Sequence, residues 1–155
     1  MLNTTPNSLK PRVFINADVL FAGAASPNEH GASLVILRMA EITLIDAIAS
    51  QQVLTEVERN LAAKIPAALP AFHLLANRSL RVVPDPEPHE LSRWAGQADE
   101  KDLPILVAAL REQCSWLVTH NVRHFQPGHR AIVVLRPGEF LWRVREQLAA
   151  LPRFT

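Results

Sequence analysis

The chain has 155 residues, 48% of them apolar, and a formal net charge of +1, which suits one domain with a substantial core and excludes a chain disordered as a whole. Near-neutrality also excludes a protein that grips nucleic acid by bulk basicity, so any such contact must come from local clustering. The single cysteine, Cys114, excludes an internal disulfide and fits a reducing cytoplasm.

Taken in chain order, Met1 to Pro11 is polar and rich in Asn, Thr and Pro; it reads as a disordered leader of residues 1–11, not as a signal peptide. Residues 12–155 then form a single domain. Arg12 to Ile15 predicts a short buried strand, and Val19 to Ala24 a turn or first helix. Ser26-Pro27-Asn28 breaks the chain before an apolar helix over Ala32 to Ala40. Ile42 to Ile45 reads as the second strand. Ser50 can cap a helix running to about Leu61, with Val53, Val57 and Leu61 on one face. Pro66 restarts a helix, its missing N–H costing nothing at a first turn.

Leu80 to Val83 predicts the third strand, and a proline-stiffened connection leads to a short helix near Glu90 to Gln97. Asp99 to Arg111 carries the clearest helical signal, with two aspartates at its start, Pro104 in its first turn, and Leu106, Ala109 and Leu110 at helical spacing. Cys114 reads as a small buried hydrophobe between Leu110 and Trp116. Ser115 to Thr119 and Ala131 to Leu135 complete the strands, and a last helix follows Pro137 and Gly138. No apolar run is long enough to span a bilayer.

Short apolar strands alternating with helices imply parallel pairing in a doubly wound α/β sheet, whose ligands sit beyond the carboxyl ends of the strands. Asn16, Asp18, Asp46, His120 and Asn121 all follow predicted strands. Asn16 and Asp18, Glu56, the pair Asp99 and Asp102, and Thr119 with Asn121 can therefore converge on one edge. Crowded carboxylates repel, and a divalent cation relieves them. Hard oxygen donors favour Mg²⁺ or Mn²⁺, which can polarise a phosphate and acidify a bound water.

On these segments the chain resembles the PIN domain family, of which the VapC-like ribonuclease toxins are members. VFINADVLFAG is similar to the family's opening strand and turn, usually Asp-x-Asn or Asp-x-Asp. SQQVLTEVERNL is similar to its second motif, with Glu56 as the acid. DEKDLPILVAAL is similar to its third, with Asp102 best aligned and Asp99 a second candidate. WLVTHNVRHF resembles the fourth, where Thr119 and Asn121 are usual, and LRPGEFL the closing strand-to-helix turn. The likeness runs from about Arg12 to Val144. It implies a three-layer α/β/α sandwich with a central parallel sheet of about five strands.

It also implies a ribonuclease that uses Mg²⁺ or Mn²⁺, the toxin half of a toxin–antitoxin pair, with RNA, an antitoxin protein and a second copy of itself as partners. Asp18, Glu56 and Asp102 would then ligate the metal directly or through water, with Asp99 in support. Asn16 and Asn121 would orient water or phosphate, and Thr119 would position them. Two positions depart from the family. Asn16 stands where the first acid is usual, and His124 where a fourth often follows. They motivate the alternative of a catalytically degenerate PIN-like module that binds RNA or a protein.

Simpler roles stand beside these. Glu56 could pair with Arg59 or Asn60 on a solvated face. Asp99 and Asp102 could favour a helix dipole, Asp18 could satisfy a turn, and Asp46 suits a turn better than a site. His120, His124 and His129 match no zinc spacing and read as loop residues, with His124 near phosphate. Arg123, Arg130, Arg136, Arg143 and Arg145 could rim an RNA site or pair with Glu139 and Glu146. Of the tryptophans, Trp116 reads as core, and Trp142 with Phe140 as packing for the last helix. A phosphatase of the haloacid-dehalogenase type needs a nucleophilic first carboxylate, which Asn16 cannot supply.

Overall fold

A computed structural model describes residues 10–25 and 31–152. The leader and the Ser26-Pro27-Asn28 break fall largely or wholly outside them. Five parallel strands, β1 (Arg12–Ile15), β2 (Asp46–Ser50), β3 (Leu80–Val83), β4 (Trp116–Val118) and β5 (Val133–Leu135), lie in the order β3-β2-β1-β4-β5. The helices are α1 (Ala17–Ala25), α2 (Ala32–Glu41), α3 (Gln51–Lys64), α4 (Leu69–Ser79), α5 (Pro88–Ser92), α6 (Leu103–Arg111) and α7 (Pro137–Ala149).

Right-handed crossovers explain the layering. From β1 to β2 to β3 the chain winds one way, which puts α1 to α4 on one face. The step from β3 back to β4 reverses direction and sends α5 and α6 to the other. The packing agrees: α1 to α4 contact one another and α7 rests on α2, whereas α5 pairs with α6 and α6 lies against β2. The result is the expected three-layer α/β/α sandwich. The central strands are buried on both faces, with Val13, Phe14, Ile15, Ile48, Leu117 and Val118 all fully inaccessible. Burial of each such large side chain contributes roughly 1.5–3 kcal/mol.

The second strand lies one segment later than the apolar tetrapeptide Ile42 to Ile45 suggests. Ile42 and Leu44 are 64% and 56% exposed. The segment instead closes α2 as a Schellman turn. Thr43 has φ 69°, its N–H donates to Ala40 O, and the Leu44 N–H donates to Met39 O. The strand is the less apolar Asp-Ala-Ile-Ala-Ser, whose register puts Ala47 beside Val13 and Ile48 beside Phe14. Gln113 (φ 57°) ends α6 in the same way ahead of β4. A β-branched residue in the left-handed region is strained by about 1 kcal/mol. Thr43→Gly is therefore expected to raise stability by about 0.5–1 kcal/mol in urea denaturation; a loss of stability would mean that the threonine side chain compensates its own strain.

Three helix starts also differ from the sequence expectation. Ser50 precedes α3, but its buried hydroxyl finds no partner. The cap comes from Asp85, 33 residues away, whose Oδ1 accepts the Gln52 N–H at 2.7 Å. Asp85→Ala should cost about 1 kcal/mol, measurable by chemical denaturation; a change below about 0.2 kcal/mol would show that water caps α3 equally well. The predicted helix from Asp99 begins only at Leu103, with Asp99 to Asp102 forming a turn through the Asp102 N–H to Asp99 O bond of 2.9 Å. The helix near Glu90 to Gln97 is α5, shifted to Pro88–Ser92, where Glu87 and Glu90 form a capping box. No helix among the described residues is long and apolar enough to cross a membrane.

Candidate active site

The sheet reverses its winding direction between β1 and β4, and a cleft of about 510 Å³ opens at the carboxyl ends of the strands there. Asn16, Asp18, Glu56, Asp102 and Asn121 all line it, together with Gln52, Thr55, Arg59, Asp85, Lys101 and His124. The connection β2–α3 explains Glu56. Because α3 starts immediately after β2, its first turns project past the sheet edge. Gln52, Thr55, Glu56 and Arg59 then share one helical face, while Val53, Val57 and Leu61 fill the core on the other. Glu56 makes no ion pair with Arg59 or hydrogen bond with Asn60 among the described residues.

The β1 and β4 ends are tied by one network. Thr119, fully buried, accepts hydrogen bonds from Asn16 Nδ2 (3.2 Å) and the Asn121 N–H (3.1 Å), and donates to Asp18 Oδ2 at 3.1 Å. The same Asp18 oxygen accepts the His120 N–H at 2.8 Å and Asn121 Nδ2 at 3.3 Å, while Oδ1 accepts the Val19 N–H at 2.9 Å. The Asn16 carbonyl oxygen accepts the Ala17 N–H at 2.8 Å. Asp18 is thus a charge largely met by donors from β4 and its loop, and Thr119 is the joint.

The opposite wall differs. Asp102 sits at the start of α6 without capping it. Its Oδ2 is buried and has no hydrogen-bonding partner, although His124 Nδ1 stands 3.1 Å away. His124 is held in a 3-10 turn, Val122–Phe125, whose own carbonyl accepts the Asp99 N–H at 2.7 Å. One ligand atom each from Asp99, Asp102 and His124 lies within 4.8 Å of the others. Burial pushes the Asp102 carboxyl above the ordinary aspartate range and nearby Asp99 adds to this, against the opposing pull of His124 and Lys101. A buried carboxylate oxygen without a donor, beside a second acid and an imidazole, is the arrangement a cation would relieve.

A PIN domain profile matches residues 12–123, well over half of the chain. The chain belongs to the PIN domain family. The match places it in a family of nucleases, and its segment includes every cleft residue except His124. Among solved structures, the VapBC2 complex from Rickettsia felis, bound to a DNA fragment from its promoter, is similar over 79% of this chain and 96% of that one, with a TM-score of 0.58 and 16% identity. That likeness bears on the fold. Mycobacterium tuberculosis VapC20, a toxin that cleaves the sarcin-ricin loop, is 18% identical over 68% of this chain and 86% of its own, with a TM-score of 0.49. No curated protein matches significantly.

Several polar residues of this PIN domain lie elsewhere. Asp46 opens β2 rather than following a strand, so it sits at the amino edge of the sheet, opposite the cleft. There Arg81 pairs with it at 2.9 Å and with Glu112 at 3.5 Å, and Asp46 holds the Arg81 guanidinium above its ordinary value. Cys114, 3% exposed beside this cluster, has its thiol pushed up to about 12 by burial and then by Glu112 and Asp46; it is inert. His120 lines a separate, mainly apolar groove with Arg136, and His129 accepts the Ala131 N–H.

Arg136 pairs with Glu139 at 3.5 Å, and Arg145 stacks over Trp142, whose indole N–H donates to Glu146. Trp142 does not pack α7, being 55% exposed; Phe140, at 3%, does so against Trp116. Lys101 and Arg59 are the cations that face the cleft. The sequence reading passed over Lys101 and Asp85 and took Arg59 only as a partner for Glu56 on a solvated face. Arg59 was legible as the residue one turn beyond Glu56, whereas nothing local signals that Asp85 reaches α3.

Proposed function

We propose that this PIN domain hydrolyses RNA phosphodiester bonds with Mg²⁺ or Mn²⁺ and acts as the toxin of a toxin–antitoxin pair, with an antitoxin protein and a second copy of the chain as partners in the cytoplasm. One observation carries the proposal: carboxylates from separate segments face a single cleft at the switch point of the sheet, and one of their buried oxygens lacks a donor.

The donors fit a hard divalent ion. Glu56, Asp102 and Asp99 would hold it, with Asp18 adding its charge and fixing the β4 loop. Held there, a divalent ion would supply Lewis acidity toward a phosphate oxygen and a bound water. The chain's own residues do the rest. Lys101 and Arg59 bring positive charge to an otherwise acidic cleft, where a phosphate backbone would be repelled. Asn121, whose backbone N–H and side chain are both engaged by the network, orients a phosphate or water, as does Asn16. Thr119 keeps the Asn16 side chain and the Asn121 backbone in place, and Asp18 holds the Asn121 side chain.

The test is cleavage of a labelled single-stranded RNA. Cleavage with Mn²⁺ or Mg²⁺ that EDTA abolishes is expected; cleavage untouched by EDTA would exclude this mechanism. Asn16 favours a second reading, a module that holds RNA or protein without cutting, since its amide brings no charge and is engaged by Thr119 and Ala17. RNA retention without any metal binding at millimolar Mn²⁺, and new activity in Asn16→Asp, would decide for that second role.

A further inference from the structure

We infer that His124 is itself a metal ligand, through Nδ1, and that it tunes the cleft toward divalent transition ions over Mg²⁺. The inference rests on the metal-binding reading of the same cleft and goes beyond it by naming the class of ion. His124 Nδ1 and Asp102 Oδ2 are 3.1 Å apart, an ion-pair contact when the imidazole is protonated, yet Oδ2 is left without a satisfied hydrogen bond. Two ligand atoms bound at right angles to one ion, each at about 2.1 Å, stand about 3 Å from one another. The spacing is therefore that of neighbouring ligands. An Asp99 carboxylate oxygen completes a set within 4.8 Å. No other group claims Asp102 Oδ2.

The chemistry of the set differs from an all-carboxylate one. On the facing wall Asn16 is neutral and Asp18 is met by four donors; the Asp102 wall offers two carboxylates and one imidazole, beside the Glu56 carboxylate of α3. Mg²⁺ prefers oxygen donors in a strict octahedron and keeps its waters. Mn²⁺, Co²⁺ and Ni²⁺ accept imidazole nitrogen with increasing readiness along the transition series, and Zn²⁺ takes it well too. The His124 backbone is also fixed from both sides, its N–H donating to Asn121 O and its carbonyl accepting the Asp99 N–H, so the ring is held near its partners before any ion arrives.

The probes are Mn²⁺ and Mg²⁺ titrated calorimetrically into the metal-free full chain, with pulsed electron paramagnetic resonance on the Mn²⁺ form. Expected are a ¹⁴N coupling to bound Mn²⁺ in the wild type, its loss in His124→Asp, and at least a tenfold fall in the Mn²⁺-to-Mg²⁺ affinity ratio in that variant. His124→Ala, checked by circular dichroism, should lose the coupling and weaken Mn²⁺ more than Mg²⁺. Absence of the nitrogen signal, an unchanged ratio in His124→Asp, or no Mn²⁺ binding at all would overturn the assignment. Nitrogen-coupled Mn²⁺ without RNA cleavage would leave it standing while removing the nuclease. Cleavage supported by Mg²⁺ with no nitrogen coupling would do the reverse.

Discussion

Asp102→Asn should reduce metal-dependent RNA cleavage by about 10²–10³-fold, the scale seen when one electrostatic contributor is removed from a preorganised site. The substitution is nearly isosteric and leaves the backbone bonds of the Asp99–Asp102 turn intact. It removes the charge whose buried oxygen lacks a donor. Loss of activity should not come from unfolding, and the sign of the Asp102 shift says why. A carboxyl whose folded pKa lies above its unfolded value binds more protons when folded. Stability then falls as pH rises from the unfolded pKa through the folded one. At neutral pH, without metal, the ionised Asp102 is a local liability that the amide removes. The metal-free variant should therefore melt no lower than wild type, whereas added Mn²⁺ should raise the melting temperature of wild type alone. Full cleavage by Asp102→Asn under single-turnover conditions would remove Asp102 from the chemistry.

Asp18→Ala should be the more damaging change to the fold, costing about 2–4 kcal/mol. The carboxylate accepts the His120 N–H, the hydroxyl of the inaccessible Thr119 and the Asn121 amide, all from a strand end 100 or more residues distant in sequence. Removing it strands the inaccessible Thr119 hydroxyl, which is the costly case, and loosens the exposed His120 and Asn121 donors that fix the loop. For a chain of this size each kcal/mol corresponds to about 2–4 °C, so a fall of roughly 5–15 °C is expected. Asp18→Asn keeps one acceptor oxygen and should lose less. Equal stability of wild type and Asp18→Ala in urea titrations would mean that water replaces the network without penalty.

Much of the cleft could be read before the fold was known, because its residues lie in local patterns. Asn16 and Asp18 follow a buried apolar strand, Glu56 stands on a helix marked by Val53, Val57 and Leu61, and Asn121 follows another strand, with Thr119 buried behind it. Asp46 was misplaced for a local reason too. Ile42 to Ile45 has strand composition, but the backbone there is closing a helix, so Asp46 opens the strand instead of following it. His124 was noticed as a substitute for an acid, yet its pairing with Asp102 depends on a turn meeting a helix start 22 residues earlier.

Hydrophobic spacing and residue type, acting over a turn or a strand, determined most of the elements, the α/β class and the strand-end edge at which the cleft opens. Periodicity of this kind is a property of neighbouring residues, and the chain carries it unfolded. Which acid is saturated with donors and which keeps an unsatisfied buried oxygen was decided only by tertiary contact. Asp18 meets three donors from the end of β4 because β4 lies beside β1, while Asp102 Oδ2, at the start of α6, has only the His124 imidazole beside it and no satisfied hydrogen bond. Desolvation, capping of α3 by Asp85 and the approach of His124 are all through-space effects between segments, and no local pattern encodes them.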